Sequence, residues 1–392
     1  MQSTRFVFVA AAVALVVATG CSSAPTRTPP ARPSTRPVSA MGAAEVSGLP
    51  GMPPVDDPHN VYADAGSGEL SATAKLAKPL VYVPHNGSGD VWVIDPATFQ
   101  IVAKYPAGVE LQHVVPAYDM KTLYATDDLG NKLVPFDPVS GLPGQPIPVT
   151  DPYNLYFTPD GQYAISVAEA HQELVWYDPH TWQQKDITPT PDCGGIDHAD
   201  FSVDGRTAVF TCEFAGRVAV VDVVSHKVLR MVDMPIRHIH MGPQDIKLAP
   251  DGSVYYIADS DGGGVWVLDG QARQVLRFIP TGMGAHGLYL SRDAGKLYVT
   301  NRMEGSVSVL DAYTGAVEAK WQIPGGGSPD MGNVSADGSQ LWLSGRYNGV
   351  VYVMSTTDGS LLAKIPVGNG PHGLCVWPQP GRYSLGHTGI TR

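Results

Sequence analysis

Six histidines in this chain stand where they could hold a metal ion together: His85, His113, His198, His240, His286 and His372. Imidazoles and carboxylates are the groups that bind zinc, copper or iron. A divalent ion held by some of them would polarise a carbonyl or activate water. Glu169 and Glu213 are candidate ligand contacts and candidate bases. Arg302 and Arg346 could hold a carboxylate or phosphate. Cys193 and Cys212 lie close enough in sequence to form a disulfide or, with His198, a metal site of their own. All of these groups are far apart along the chain, so they act together only if the fold gathers them.

The elements that would gather them are short strands in a repeat. The clearest unit reads Leu297-Tyr298-Val299-Thr300-Asn301, then Gly305-Ser306-Val307-Ser308-Val309-Leu310-Asp311, then a turn at Thr314-Gly315. The Asp that ends the third strand recurs at Asp95, Asp137, Asp178, Asp222, Asp269 and Asp311, with Ser355 in the same role. The spacing stays near 43 residues over seven units, a propeller-blade period. Val91-Trp92-Val93-Ile94, Val218-Ala219-Val220-Val221 and Val350-Val351-Tyr352-Val353 are β-branched and aromatic and lack helical spacing. A second landmark is an inner strand that ends in Asp-Gly, at Asp160-Gly161, Asp204-Gly205, Asp251-Gly252 and Asp337-Gly338.

The Tyr298-Val299-Thr300-Asn301 tetrapeptide resembles the YVTN family of β-propeller repeats, found in surface-layer and related exported proteins. The resemblance covers about 300 residues and implies an all-β, seven-bladed β-propeller over 79–392. It is similar to the propellers of haem d1 nitrite reductase and of the quinoprotein amine dehydrogenase heavy chain. The first unit lacks an inner strand and the last, near Gly373 to Trp377, lacks its partners. The C-terminal strand is therefore expected to close the N-terminal blade.

In such a ring, the loop entering each inner strand and the loop after the second strand share one face. The first set carries His113, Asn154, His198, Asp245, His286, Met331 and His372, with His238 and His240 a little before Asp245. The second carries His85, Asp127, Ala168, Cys212, Asp259, Asn301 and Gly345, each followed in turn by Asn86, Asp128, Glu169, Glu213, Ser260, Arg302 and Arg346. Turn formation alone would scatter histidine over both faces. Cys193 and Cys212 fall on this face in one blade, and a disulfide is the default in an oxidising compartment. Cys375, inside the closing strand, reads as a buried free thiol.

The N-terminus carries an address. Arg5 precedes an unbroken apolar run from Phe6 to Ala18, too short to span a bilayer and suited to a signal peptide over 1–20. Ala18-Thr19-Gly20-Cys21 resembles the bacterial lipobox, which implies a lipid on Cys21 after cleavage. Residues 21–78 then read as a tether, rich in Pro, Ser and Thr at its start. The expected location is outside the cytoplasm, on the membrane through the lipid.

Composition narrows the rest. The net charge of −11 disfavours nucleic acid. Charged residues make up 16% of the chain while Gly and Pro number 43 and 34, which suits a turn-rich β protein. There is no Cys-x-x-Cys-His, so no c-type haem, and no Gly-x-Ser-x-Gly or Walker loop. The reading favours a monomeric, surface-tethered binding module whose His-rich face holds a divalent metal (Zn, Cu or Fe), a small molecule or an envelope protein. The alternative is a metal-dependent hydrolase, lyase or oxidoreductase acting in the channel mouth.

Overall fold

The computed structural model describes residues 47–236, 240–387 and 389–392. Alternating β-branched and aromatic residues between Gly- and Asp-containing turns fold into seven antiparallel sheets arranged as blades. Blade 4 shows the plan: Ile196–Phe201 innermost, then Thr207–Cys212, Arg217–Asp222 and Lys227–Asp233. The inner strands are buried throughout, and the outermost strands expose alternate residues. The Asp-Gly turns form as expected, with Gly161, Gly205, Gly252 and Gly338 at φ of 68°, 69°, 69° and 80°. No α-helix occurs among the described residues.

The ring closes as the sequence suggested. Cys375–Trp377 pairs with Leu80–His85 and becomes the innermost strand of blade 1. Cys375 is a buried free thiol there. Aromatic rings pack between blades, with Tyr82 on Phe136 and Phe99 on Trp342.

Two segments depart from the repeat. The stretch expected as the end of the tether, from Ser47 to Lys78, lies against the domain. Leu49, Val61, Tyr62, Ala65 and Ala74 are buried, and Leu49 and Val61 donate backbone bonds to Asp204 and Pro250. Apolar residues spaced among its glycines and prolines give this part something to bury, which the Pro/Ser/Thr run before it lacks. The chain also continues past the closing strand. Ser384–Gly386 adds to the inner edge of blade 3 through Gly386 and Tyr156, and Ile390–Thr391 pairs onto it. Arg392 ends buried, donating to the Asp200 carboxylate at 2.9 Å and to Phe201 O. Tyr62, from the N-terminal segment, donates to the same carboxylate.

Cys193 and Cys212 form a disulfide, with Cα atoms 4.8 Å apart and a sequence separation of 19. The bridge ties the loop that enters blade 4 to the end of its second strand. A Cys193–His198–Cys212 metal site is thereby corrected, because the two sulfurs bond to each other. Replacing both cysteines by Ala is expected to cost about 3 kcal/mol, the loop-closure figure for this span. It would appear as a lower urea midpoint. An unchanged midpoint would show that the bridge adds no stability.

Candidate functional site

The inner strands of five blades share an irregularity. Their pairing with the second strand slips between Leu111 and Val114, Ile196 and Ala199, Pro243 and Ile246, Ala285 and Leu288, and Pro329 and Gly332. A bulge of this kind breaks strict alternation and re-aims side chains. It also takes amide N–H groups out of the ladder, and buried amides need acceptors. The threonine of the YVTN element meets one of them. His113, His198 and Gly287 N–H donate to the hydroxyls of Thr126, Thr211 and Thr300, and Met331 N–H to that of Ser344. The preceding blade meets the next amide. Ala199 and Gly332 N–H donate to the Tyr156 and Tyr289 hydroxyls, Leu288 N–H to Asp245 Oδ2, and Val114 N–H to Gly373 O.

Through these bulges, the segment before the closing strand and the tail, five imidazoles meet in the channel. His113 and His372 have ring centroids 4.8 Å apart, His198 and His387 4.8 Å, His113 and His198 5.5 Å, and His198 and His286 6.1 Å. All five are at most 1% exposed. Ligand atoms of His113, His198 and His387 lie within 4.8 Å of one another, as do those of His286, Asp330 and His372. His113 Nδ1 bonds Tyr153 O at 2.9 Å, and His372 Nδ1 bonds Gln112 Oε1 at 3.0 Å. As donors at Nδ1, both rings turn a lone pair at Nε2 to the cluster. His113 Nε2, His198 Nε2, His372 Nε2 and His387 Nε2 make no hydrogen bond among the described residues. Asp197 Oδ1 touches His198 Nδ1, and Asp245 Oδ1 lies 3.7 Å from His387 Nε2.

Burial sets the charge of these groups. It drives His113, His286, His372 and His387 well below the usual imidazole range, and takes His198 down to about 4. The rings are therefore neutral near pH 7, the form that ligates metals. Burial pushes Asp197 well up, with Asp245 adding repulsion, and raises Asp245 as well. The cluster thus combines neutral nitrogen donors with carboxylates that lack enough cations, which favours a bound cation.

Above the cluster opens a cavity of about 680 Å³, with His286 in its lining. Glu169, Glu213, Arg302 and Arg346 all line it, as the sequence reading placed them. Arg302 Nη1 donates to Asp330 Oδ1 at 3.3 Å, and Arg346 Nη1 lies 3.9 Å from Asp330 Oδ2. Burial, then repulsion from Asp197 and Glu213, pushes Glu169 up to about 8. Glu213 rises to about 7, chiefly by burial.

Two expected ligands stand elsewhere. His85 ends the second strand of blade 1, where its Nδ1 faces Asp90 and its Nε2 accepts from Gly368 N–H at 3.0 Å. One nitrogen fixes the hairpin at Asp90, and the other fixes the Gly368 loop that follows the last blade. His240 is exposed and outside the cluster, and His238 lies outside the described residues. Three members of the site were not expected as such. His387 belongs to the tail rather than to a blade. Asp197 and Asp330 precede the residue chosen at their entrances, and the bulge brings such neighbours to the channel too. Cys21 and the leader also lie outside the described residues.

The Glu169 shift makes a prediction about pH. Folded Glu169 binds its proton more tightly than the unfolded chain does, so its contribution is full below about 4.5 and is lost as pH rises through about 8. Glu169→Gln should melt with the parent near pH 4 and a few degrees above it beyond pH 8. Equal melting temperatures across that range would rule out the raised carboxyl.

Comparison with known proteins agrees with this architecture. The family model of YNCE-like beta-propellers matches residues 243–380. No curated protein sequence matches the chain. Among solved structures, Kuenenia stuttgartiensis hydrazine synthase is 16% identical, with 72% of this chain and 93% of that one covered at a TM-score of 0.61. A functionally unknown protein from Desulfotomaculum acetoxidans is 16% identical, covering 76% and 99%, also at 0.61. Virginiamycin B lyase from Staphylococcus aureus is 14% identical, covering 68% and 88%, at 0.56. Identities this low speak for the fold alone. Seven blades and a closing C-terminal strand give the chain a seven-bladed β-propeller fold, to which these structures are similar.

Proposed function

We propose that this propeller is an exported binding module that holds one transition-metal ion in its channel, beneath a cavity that receives a small ligand. The observation that carries the reading is the cluster of buried neutral imidazoles, each with at least one ring nitrogen that makes no hydrogen bond among the described residues. Leaving buried polar atoms unmet costs roughly 1–3 kcal/mol each, so five rings gathered this way point to a missing partner. The donors fit zinc, copper or iron, and would offer the ion imidazole nitrogen with carboxylate close by. His113 and His372 have the further feature that their other ring nitrogen is anchored, as metal-ligating imidazoles usually are. The apolar leader and Cys21 support a lipid anchor that would keep the domain outside the cytoplasm.

A second reading, a metal-dependent lyase or hydrolase, is favoured by Glu213 and Glu169. Carboxyls that titrate at about 7 and about 8 beside a metal site suit proton transfer at neutral pH.

The test is metal binding by untagged protein stripped with chelator. Titration with Zn(II) and with Cu(II) should give one tightly held equivalent for at least one of them. His113→Ala with His198→Ala should weaken it by 100-fold or more, while His85→Ala, off the cluster, leaves it within about 2-fold. Circular dichroism checks that each variant folds. A parent protein that retains neither ion at millimolar concentration overturns the proposal.

A further inference from the structure

One position recurs once per blade on the cavity face, directly after the YVTN element. Around the ring it reads Asn86, Asp128, Glu169, Glu213, Ser260, Arg302 and Arg346. Three acids occupy consecutive blades 2, 3 and 4. Two arginines occupy consecutive blades 6 and 7. A neutral residue separates them on each side, at blade 1 and at blade 5. Six of these groups line the cavity, all five charged ones and Asn86. The rim is therefore divided into an acidic half and a basic half.

The two halves attract across the cavity, Arg302 and Glu213 most directly, but no ion pair joins them among the described residues. Arg302 and Arg346 both turn to the single buried carboxylate of Asp330, and Arg302 Nε, on a side chain 4% exposed, has no hydrogen-bond partner among the described residues. Neither Glu169 nor Glu213 forms an ion pair with an arginine among the described residues. Glu169 instead faces Glu213, Asp128, Asp151 and Asp197, all of one sign. Each half is thus short of countercharge, and the shortfall has opposite sign on the two sides of one cavity.

We propose that this cavity binds a small zwitterion of amino-acid to short-peptide size, with its ammonium against Glu169 and Glu213 and its carboxylate against Arg302 and Arg346. The arginines offer planar donors suited to a carboxylate. An ammonium among the crowded acids relieves their mutual repulsion. A simple anion or a simple amine satisfies one wall and leaves the other short, which is how a divided rim discriminates. The idea rests on reading this face as a ligand-binding face, and needs no ion in the channel.

Calorimetry on untagged, metal-free protein tests it. The probes are alanine, dialanine and trialanine, each with its N-acetyl form, which lacks the ammonium, and its C-terminal amide, which lacks the carboxylate. At least one free zwitterion should bind 10-fold or more tightly than both of its capped forms. Arg346→Met should abolish the preference over the amide. Glu169→Gln with Glu213→Gln should abolish the preference over the N-acetyl form. Thermal melts confirm that both variants fold. Equal binding of a zwitterion and either capped form, or no binding by any probe, overturns the proposal. Because the protein is metal-free, that failure leaves the Zn(II) and Cu(II) result untouched, and a failed metal titration leaves this one untouched.

Discussion

The channel depends on one backbone irregularity, the bulge at the head of the inner strands. A regular strand sends only every second side chain inward. The slip between Ile196 and Ala199 brings Asp197 and His198 together at the channel, and the slip between Pro329 and Gly332 places Asp330 there. The bulge persists because its amides are satisfied. One N–H goes to the Thr or Ser hydroxyl of the second strand, and the next goes to the preceding blade. The YVTN threonine thus has a structural task that the tyrosine or aspartate of a neighbouring blade completes. The same bonds join blade to blade, so the ring and its polar centre stabilise one another.

Burying five imidazoles and several carboxylates in one channel works against folding unless they stay neutral or gain a partner. The rings respond by losing their protons, while burial pushes the carboxyls of Asp197 and Asp245 toward the protonated form. Both shifts relieve the cost of burial, and they leave neutral nitrogens free to ligate while a cation would favour the ionised carboxylates. Sites strained in this way are characteristic of function rather than of packing.

The ring and most of its centre were legible in the sequence because a repeat maps position onto place. The Asp spacing near 43 residues gave seven blades, and the strand entrances gave His113, His198, His286 and His372. The misreadings have particular causes. His85 was placed by its register after the second strand, but its ring turns to the hairpin at Asp90. Asp197 and Asp330 were passed over because one inward residue was assigned to each entrance, and the bulge admits two. His387 has no repeat position at all. The segment from Ser47 shares the glycines and prolines of the stretch before it, but its buried Leu49, Val61 and Tyr62 carry the signal of a packed segment.

His387 shows why the tail matters to the centre. Seven similar blades supply similar surroundings, so asymmetry must come from side-chain choices at the entrances and from chain outside the repeat. The tail supplies the second kind. Its Gly386 is at φ of 101° and His387 at φ of 49°, a turn that sets the ring against His113 and His198. Arg392 then meets Asp200, the carboxylate that Tyr62 also reaches. Terminal segments that stay ordered are generally tied down, and here the ties are buried and ionic. Breaking the Arg392–Asp200 pair would leave a charge in the interior, so the tail is held at its end while its turn presents an imidazole. The blades alone offer four rings, and the fifth comes from chain beyond the repeat that is fixed onto blades 3 and 4.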